Sequence, residues 1–253
     1  MHPLIHLGPF QSTWSLLLAA ACAATLLVLL HEARGRGIPP RAVLLVWPGM
    51  ILGGFLGAHL YFLTTHPGYL SVDAGRKVFN VFSGMSVQGS VIGACAAAFF
   101  LLRSLGIPLT RFLDPVAPAS ALGLSIGRLG CLAMGCCYGR PTDLPIGIVF
   151  DGPYCAAPMG VRLHPTQLYE SVLCLVLAGL LHHRLKTRRA PDGEVFAFFL
   201  LGYGLIRFFV QSFRNDDAGH LIWGLAHGHY MAMAMIATAV WMLRRTPRAR
   251  LGS

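Results

Sequence analysis

Apolar residues gather in seven runs along this chain, at 14–30, 42–64, 87–105, 115–134, 166–183, 195–213 and 228–243, with polar residues held to the connections. Several runs reach the roughly 20 residues that a tilted membrane-spanning helix needs, and the first and last are slightly short. The stretch 79–87 is interrupted by Ser83-Gly84. It is expected to re-enter the membrane without crossing it, where irregular backbone is tolerated only against protein or water. The most polar connection is 184–194, where Pro191-Asp192-Gly193 reads as a turn. No internal repeat is evident, which weighs against a transporter built on inverted repeats. The pattern predicts an all-α integral membrane protein of about seven transmembrane helices, with residues 1–253 forming a single polytopic membrane domain.

Composition strengthens this reading. Hydrophobic residues make up 55% of the 253 residues and charged ones only 12%, against roughly 25% charged in soluble domains. The formal net charge of +10 would suit a nucleic-acid binder, but the basic residues lie between apolar runs and form no single stripe. They read as topology signals. One set of alternate connections carries Arg34, Arg36 and Arg41; Arg103 and Arg111; Arg184, Lys186, Arg188 and Arg189; and Arg244, Arg245, Arg248 and Arg250, most of the chain's 20 basic residues. The opposite side holds Arg76, Lys77, Arg140 and Arg162. The excess of positive charge on the cytoplasmic side then places the N-terminus outside and the C-terminus in the cytoplasm. The first run lacks a basic leader and an obvious cleavage site, so it is expected to remain as the first helix.

Three arginines stand against the pattern. Arg128 follows Leu122-Gly123-Leu124-Ser125-Ile126-Gly127, Arg207 interrupts the sixth run, and Arg214 closes it. An arginine at the bilayer centre costs about 2.5–3.5 kcal/mol on insertion scales, so such residues usually face an interior cavity and mark function. A guanidinium stays charged and offers a planar fork suited to phosphate oxygens. Together these features point to an anionic lipid head group.

The surrounding residues sharpen the picture. Gly127-Arg128-Leu129-Gly130-Cys131 opens a glycine-rich stretch that ends Gly135-Cys136-Cys137-Tyr138-Gly139-Arg140. Glycine spacing alone favours plain helix packing by small residues, and Arg128 within it tips the reading toward a lipid or anion site. In Leu163-His164-Pro165-Thr166-Gln167-Leu168-Tyr169-Glu170, Thr166, Tyr169 and Glu170 are helical neighbours. His164 is a candidate general base, a phosphate partner or simply a loop residue. Arg207, Gln211 and Arg214 recur at i, i+4 and i+7, forming a polar stripe expected to face inward; the structural alternative is an Arg214 brace to Asp216 or Asp217.

The seven cysteines divide by position. Cys22, Cys95 and Cys174 sit in apolar runs and read as small hydrophobes. Cys131, Cys136, Cys137 and Cys155 are expected near the outer face, where disulfides are permitted. A Cys136–Cys155 or Cys137–Cys155 loop tether is the favoured reading, with a reactive thiol as the alternative. Cys131, Cys136 and Cys137 lack a recognised zinc-ligand spacing, so no metal is expected.

Read in order, these groups resemble the bacterial prolipoprotein diacylglyceryl transferase family. Gly127-Arg128-Leu129-Gly130 is similar to the start of its Gly-Arg-x-Gly-Asn-Phe-x-Asn-Gly-Glu motif, and His164 to Glu170 to its His-Pro-Ser/Thr-Gln-Leu-Tyr-Glu element. The segment from Gly202-Tyr203-Gly204 to Asp217 looks like its Gly-Tyr-Gly…Arg…Phe-Arg…Asp segment. Gly84-Met85-Ser86-Val87-Gln88-Gly89 resembles its Gly-Met-Ser-Phe-His-Gly stretch. The resemblance implies transfer of the diacylglyceryl group of phosphatidylglycerol to the lipobox cysteine thiol of a secreted prolipoprotein, leaving glycerol phosphate. The enzyme would work without a cofactor, in the bacterial cytoplasmic (inner) membrane, with its active site toward the outer leaflet. It implies Arg128, Arg207, His164 and Gln88 as catalytic residues, with Arg214, Gln211, Tyr169, Gln167, Gly89 and Gly130 binding substrate. Gln88 stands where the family has His, and Gln211 where it has Glu; glutamine accepts no proton near neutral pH. Two alternatives stand beside this one. One is a related lipid enzyme that serves another acceptor through its cysteines, and the other a non-catalytic phospholipid-binding component.

Overall fold

The computed structural model describes residues 13–65, 86–150, 155, 157–187, 190–214 and 224–245. Among them stand seven helices: α1 Thr13–Gly35, α2 Pro40–Thr65, α3 Val87–Ser104, α4 Leu109–Met134, α5 Thr166–Thr187, α6 Glu194–Gln211 and α7 His227–Arg245. Every expected apolar run holds one of them. A short antiparallel ladder joins the helical set, with β1 Ile148–Val149 paired to β2 Arg162–Leu163. The re-entrant stretch expected at 79–87 lies outside the described residues up to residue 85, as do Arg76, Lys77, Arg188, Arg189, Asp216, Asp217, Arg248 and Arg250.

Helices α1, α2, α4, α5 and α6 are long and apolar enough to cross a bilayer, with mean hydropathies of 1.2 to 2.2. The chain is thus a multi-pass membrane protein. Helix α3 is apolar over Gln88–Ser104, and α7 is less hydropathic. Large apolar side chains such as Leu27, Leu52, Phe100 and Leu180 are exposed on the helices, as lipid-facing positions are. Two helices outrun their expected limits by more than about four residues. Helix α1 continues through Glu32, which is buried and meets the His182 ring; a polar turn can extend an apolar helix when its charge finds a partner. Helix α4 begins before Pro115 and runs through Pro115 and Pro118, since membrane helices tolerate proline where neighbours satisfy the freed carbonyls.

The chain divides into two compact units, Met1–Glu32 with Leu113–Ser253, and Ala33–Phe112. In the second, α2 and α3 pack through opposed glycines. A Cβ on Gly93 would meet the Gly53 carbonyl and lie 3.0 Å from the Gly57 Cα, so the backbones touch as in small-xxx-small helix pairs. Ser90 Oγ adds a bond of 3.1 Å to the Gly54 carbonyl. Gly37 ends α1 with positive φ, Gly37 N and Ile38 N returning to the carbonyls of Arg34 and Ala33, a Schellman cap that satisfies otherwise orphaned groups.

In the first unit, α4 meets α1 where Gly123 lies against Thr25 and Gly130 against the Trp14 ring. Ser171 Oγ donates to the Ser125 carbonyl at 2.9 Å, fixing the register of α4 against α5. The fully buried Asp114 carboxylate accepts from Gly193 N and Phe196 N, each at 3.0 Å, and so caps the start of α6. Leu177, Leu181, Val195 and Phe199 form the apolar contact between α5 and α6.

Candidate active site

The α4–α5 register and the α5–α6 apolar contact decide where the two interior arginines go. One turn beyond Ser125, Arg128 Nη2 donates to Glu170 Oε1 at 2.9 Å. From α6, Arg207 Nη1 donates to Glu170 Oε2 at 3.1 Å, and the Tyr203 hydroxyl donates to Oε1 at 3.0 Å. Arg207 Nη2 also donates to the Gln211 side-chain oxygen at 3.0 Å. The glutamate side chain is 1% exposed, and those of Arg128 and Arg207 are 16% and 18% exposed. A single carboxylate therefore braces two guanidiniums from two helices. Its charge offsets one of theirs, and the cluster keeps a net charge of +1. Each guanidinium carries five N–H donors, and these bonds engage only some of them. The cluster can still bind an anion. Gln211 takes its place because Gly228, at the start of α7, leaves room for its amide.

His164 lies in a different setting. Its Nδ1 is 3.1 Å from the Tyr169 hydroxyl, and its ring packs 5.3 Å from that of Phe213. The backbone holds it there: Gly139 N donates to the His164 carbonyl, His164 N to the Arg140 carbonyl, and Arg140 N to the Phe213 carbonyl. Only glycine fits at 139, since a Cβ would come within 2.6 Å of the His164 Cβ and 2.8 Å of the Phe213 carbonyl. Arg214 pairs through its backbone with Gly139 in the same crossing.

The cysteine turn lies between these groups. The Thr166 hydroxyl donates to the Cys137 carbonyl and the Gln167 amide to the Cys136 carbonyl, both at 2.7 Å. Gln167 is 1% exposed, so it braces this turn. All seven cysteines are free thiols in this structure; no bridge joins Cys155 to Cys136 or Cys137, and the Cys155 sulfur packs against Gly135. The neighbouring Cys131 and Cys136 thiols hold Cys137 well below the usual thiol range, with Arg214 and Arg128 acting the same way. The neighbouring thiols of Cys131, and then of Cys137, push Cys136 up.

The other expected residues play packing roles. Gly130 admits Trp14. Gly89 and Gln88 belong to the Ala33–Phe112 unit, where Gly89 lies against the Gly57 carbonyl and Gln88 accepts from Ser86 Oγ at 2.7 Å. Glu170 and Tyr203 were missing from the expected site. The signal for Glu170 was available: two arginines inside apolar runs require a counter-charge, and acidic residues number only 10 in the whole chain.

A family model described as prolipoprotein diacylglyceryl transferase matches residues 3–245. The chain belongs to the prolipoprotein diacylglyceryl transferase family. Among its diacylglyceryl transferase relatives, a phosphatidylglycerol–prolipoprotein diacylglyceryl transferase of Geobacter sulfurreducens is 37% identical over 81% of this chain and 76% of its own length. Those of Bordetella avium and Clostridium tetani, with the same name, are 36% and 34% identical. The matches cover 79% of this chain and 74% of the Bordetella protein, and 68% of each chain for the Clostridium protein. Three of the four stretches that resemble the family thus fall on the arginine–glutamate cluster and on the crossing that holds His164; the fourth leads into α3, with Gly84 and Met85 outside the described residues.

Proposed function

We propose that this chain transfers the diacylglyceryl group of phosphatidylglycerol to the lipobox cysteine thiol at the signal peptide of a prolipoprotein. The observation that carries the reading is the Glu170-braced pair of Arg128 and Arg207. Its net charge of +1 matches the single negative charge of a phosphodiester. In the reaction the cysteine sulfur forms a bond to the glyceryl carbon. The carbon–oxygen bond to phosphate breaks, and glycerol phosphate leaves with the electron pair. The leaving group gains charge as that bond opens, and donors already in place stabilise it without reorganisation. Arg214 adds positive charge, and Gln211 orients Arg207 while offering its amide to the substrate. His164, steadied by Tyr169, takes the thiol proton through its second ring nitrogen. Gln167 and Gly130, from the same unit as the arginine cluster, shape the substrate's surroundings.

The protein acts as one polytopic domain, residues 1–253, in the bacterial cytoplasmic membrane. It has about seven spans, the N-terminus and active site outward, and the C-terminus in the cytoplasm. The charge asymmetry of the connections supports this orientation. The test is phosphorus NMR of purified protein in phosphatidylglycerol micelles with a lipobox peptide. Release of glycerol phosphate that requires the peptide's cysteine, and stops when serine replaces it, is expected. Release independent of that cysteine, or no release from folded protein, would overturn the reading.

A further inference from the structure

The sulfurs of Cys131, Cys136 and Cys137 all lie within 4.8 Å of one another. Their convergence follows from how α4 ends. Gly135 has φ +62°, with Gly135 N bonded to the Leu132 carbonyl and Cys136 N to the Cys131 carbonyl, each at 3.1 Å. This is a Schellman cap, which folds the second residue beyond the helix back over its final turn. It sets Cys136 onto Cys131. Cys137 then adopts φ +60°, and among the described residues it is the one non-glycine with a positive φ. Left-handed backbone is disfavoured for a residue with a Cβ and persists where the surroundings impose it. Here it turns the third thiol toward the other two.

The turn is also anchored from behind. Thr166 and Gln167 hold the Cys137 and Cys136 carbonyls, so the sulfurs are gathered on a fixed scaffold. All three cysteines are partly buried. Ordinary packing or a loop disulfide needs no such trio. Zinc–sulfur bonds of about 2.3 Å place thiolates roughly 3.8 Å apart, so the sulfurs need to close by about 1 Å at most. Three thiolates around a divalent ion carry one net negative charge.

We infer that Cys131, Cys136 and Cys137 form a three-thiolate site for a thiophilic metal ion of the Zn2+ class. The three thiols release their protons to solvent on binding, and a water or other exogenous donor takes the fourth position. The bound ion would pin the end of α4, which carries Arg128, to the turn that Thr166 and Gln167 hold against the start of α5. This inference does not depend on the lipid reaction, and its test does not measure it.

The test uses the full chain, purified metal-free in detergent under reducing conditions and titrated with Cd2+, then with Zn2+ as competitor. We expect a thiolate-to-metal charge-transfer band that saturates at one Cd2+ per chain and is displaced by Zn2+. Alkylation read by peptide mass spectrometry should show Cys131, Cys136 and Cys137 protected by metal, while Cys22, Cys95 and Cys155 react equally with and without it. Each of Cys131→Ser, Cys136→Ser and Cys137→Ser should weaken Cd2+ binding by roughly tenfold or more, as losing even an outer-shell partner does. Two results would overturn the assignment. One is equal alkylation of the three thiols with and without metal in the unaltered protein. The other is a band that survives all three substitutions.

Discussion

At the residue scale, the account rests on Glu170. Two cationic side chains within apolar helices need a carboxylate between them, and Glu170 supplies it while the Tyr203 hydroxyl completes its hydrogen bonding. Removing one member of a buried ion pair costs about 3–5 kcal/mol, because the partner charge is stranded. Here two partners would be stranded. Glu170→Gln is therefore expected to lower the melting temperature in detergent clearly and to abolish measurable lipid transfer. A variant that melts and turns over like the unaltered protein would show that the brace is incidental. Tyr203→Phe, which removes one donor and no charge, should fall between the two. Both arginines were legible in the sequence because charge inside an apolar run is conspicuous. Glu170 lay in a recognised element, but its partner could not be read there: 42 positions separate it from Arg128 and 37 from Arg207. The register set by Ser125 and Ser171 brings Arg128 to it, and the α5–α6 contact brings Arg207.

At the element scale, helices and their approximate limits followed from hydropathy, whereas their contacts depended on glycines whose roles spacing alone does not reveal. Gly53 and Gly57 face Gly89 and Gly93 so closely that a methyl group has no room. Gly179, by contrast, has nothing within 4 Å of a built Cβ. Gly93→Ala should then destabilise the protein by about 1–3 kcal/mol, as overpacking does. Gly179→Ala should be neutral or stabilising by up to about 1 kcal/mol, as helix propensity predicts. Thermal unfolding of the two variants side by side checks the contrast, and equal effects would contradict the packing. The cysteine turn had the opposite legibility. Cys131, Cys136 and Cys137 showed no familiar ligand spacing, because their meeting depends on a helix cap and a left-handed residue, which are backbone geometry. The β1–β2 ladder was equally hidden, since two-residue strands are too short to show a period.

At the scale of the whole molecule, composition alone marked a membrane protein, and the five long apolar helices agree. The proposed orientation rests on basic residues spread along the sequence. A green fluorescent protein fused after Ser253 should fluoresce in cells, and alkaline phosphatase fused there should be inactive. The reverse pattern would invert the proposed topology and put the site on the cytoplasmic side.

The most direct measurement of the central claim is transfer from labelled phosphatidylglycerol to a lipobox peptide by the purified protein, beside Arg207→Ala. The account predicts lipidated peptide from the unaltered protein. It predicts a loss of roughly 100-fold or more in the variant, the scale seen when a preorganised transition-state donor is removed. Lipidated peptide formed equally well by Arg207→Ala would contradict it.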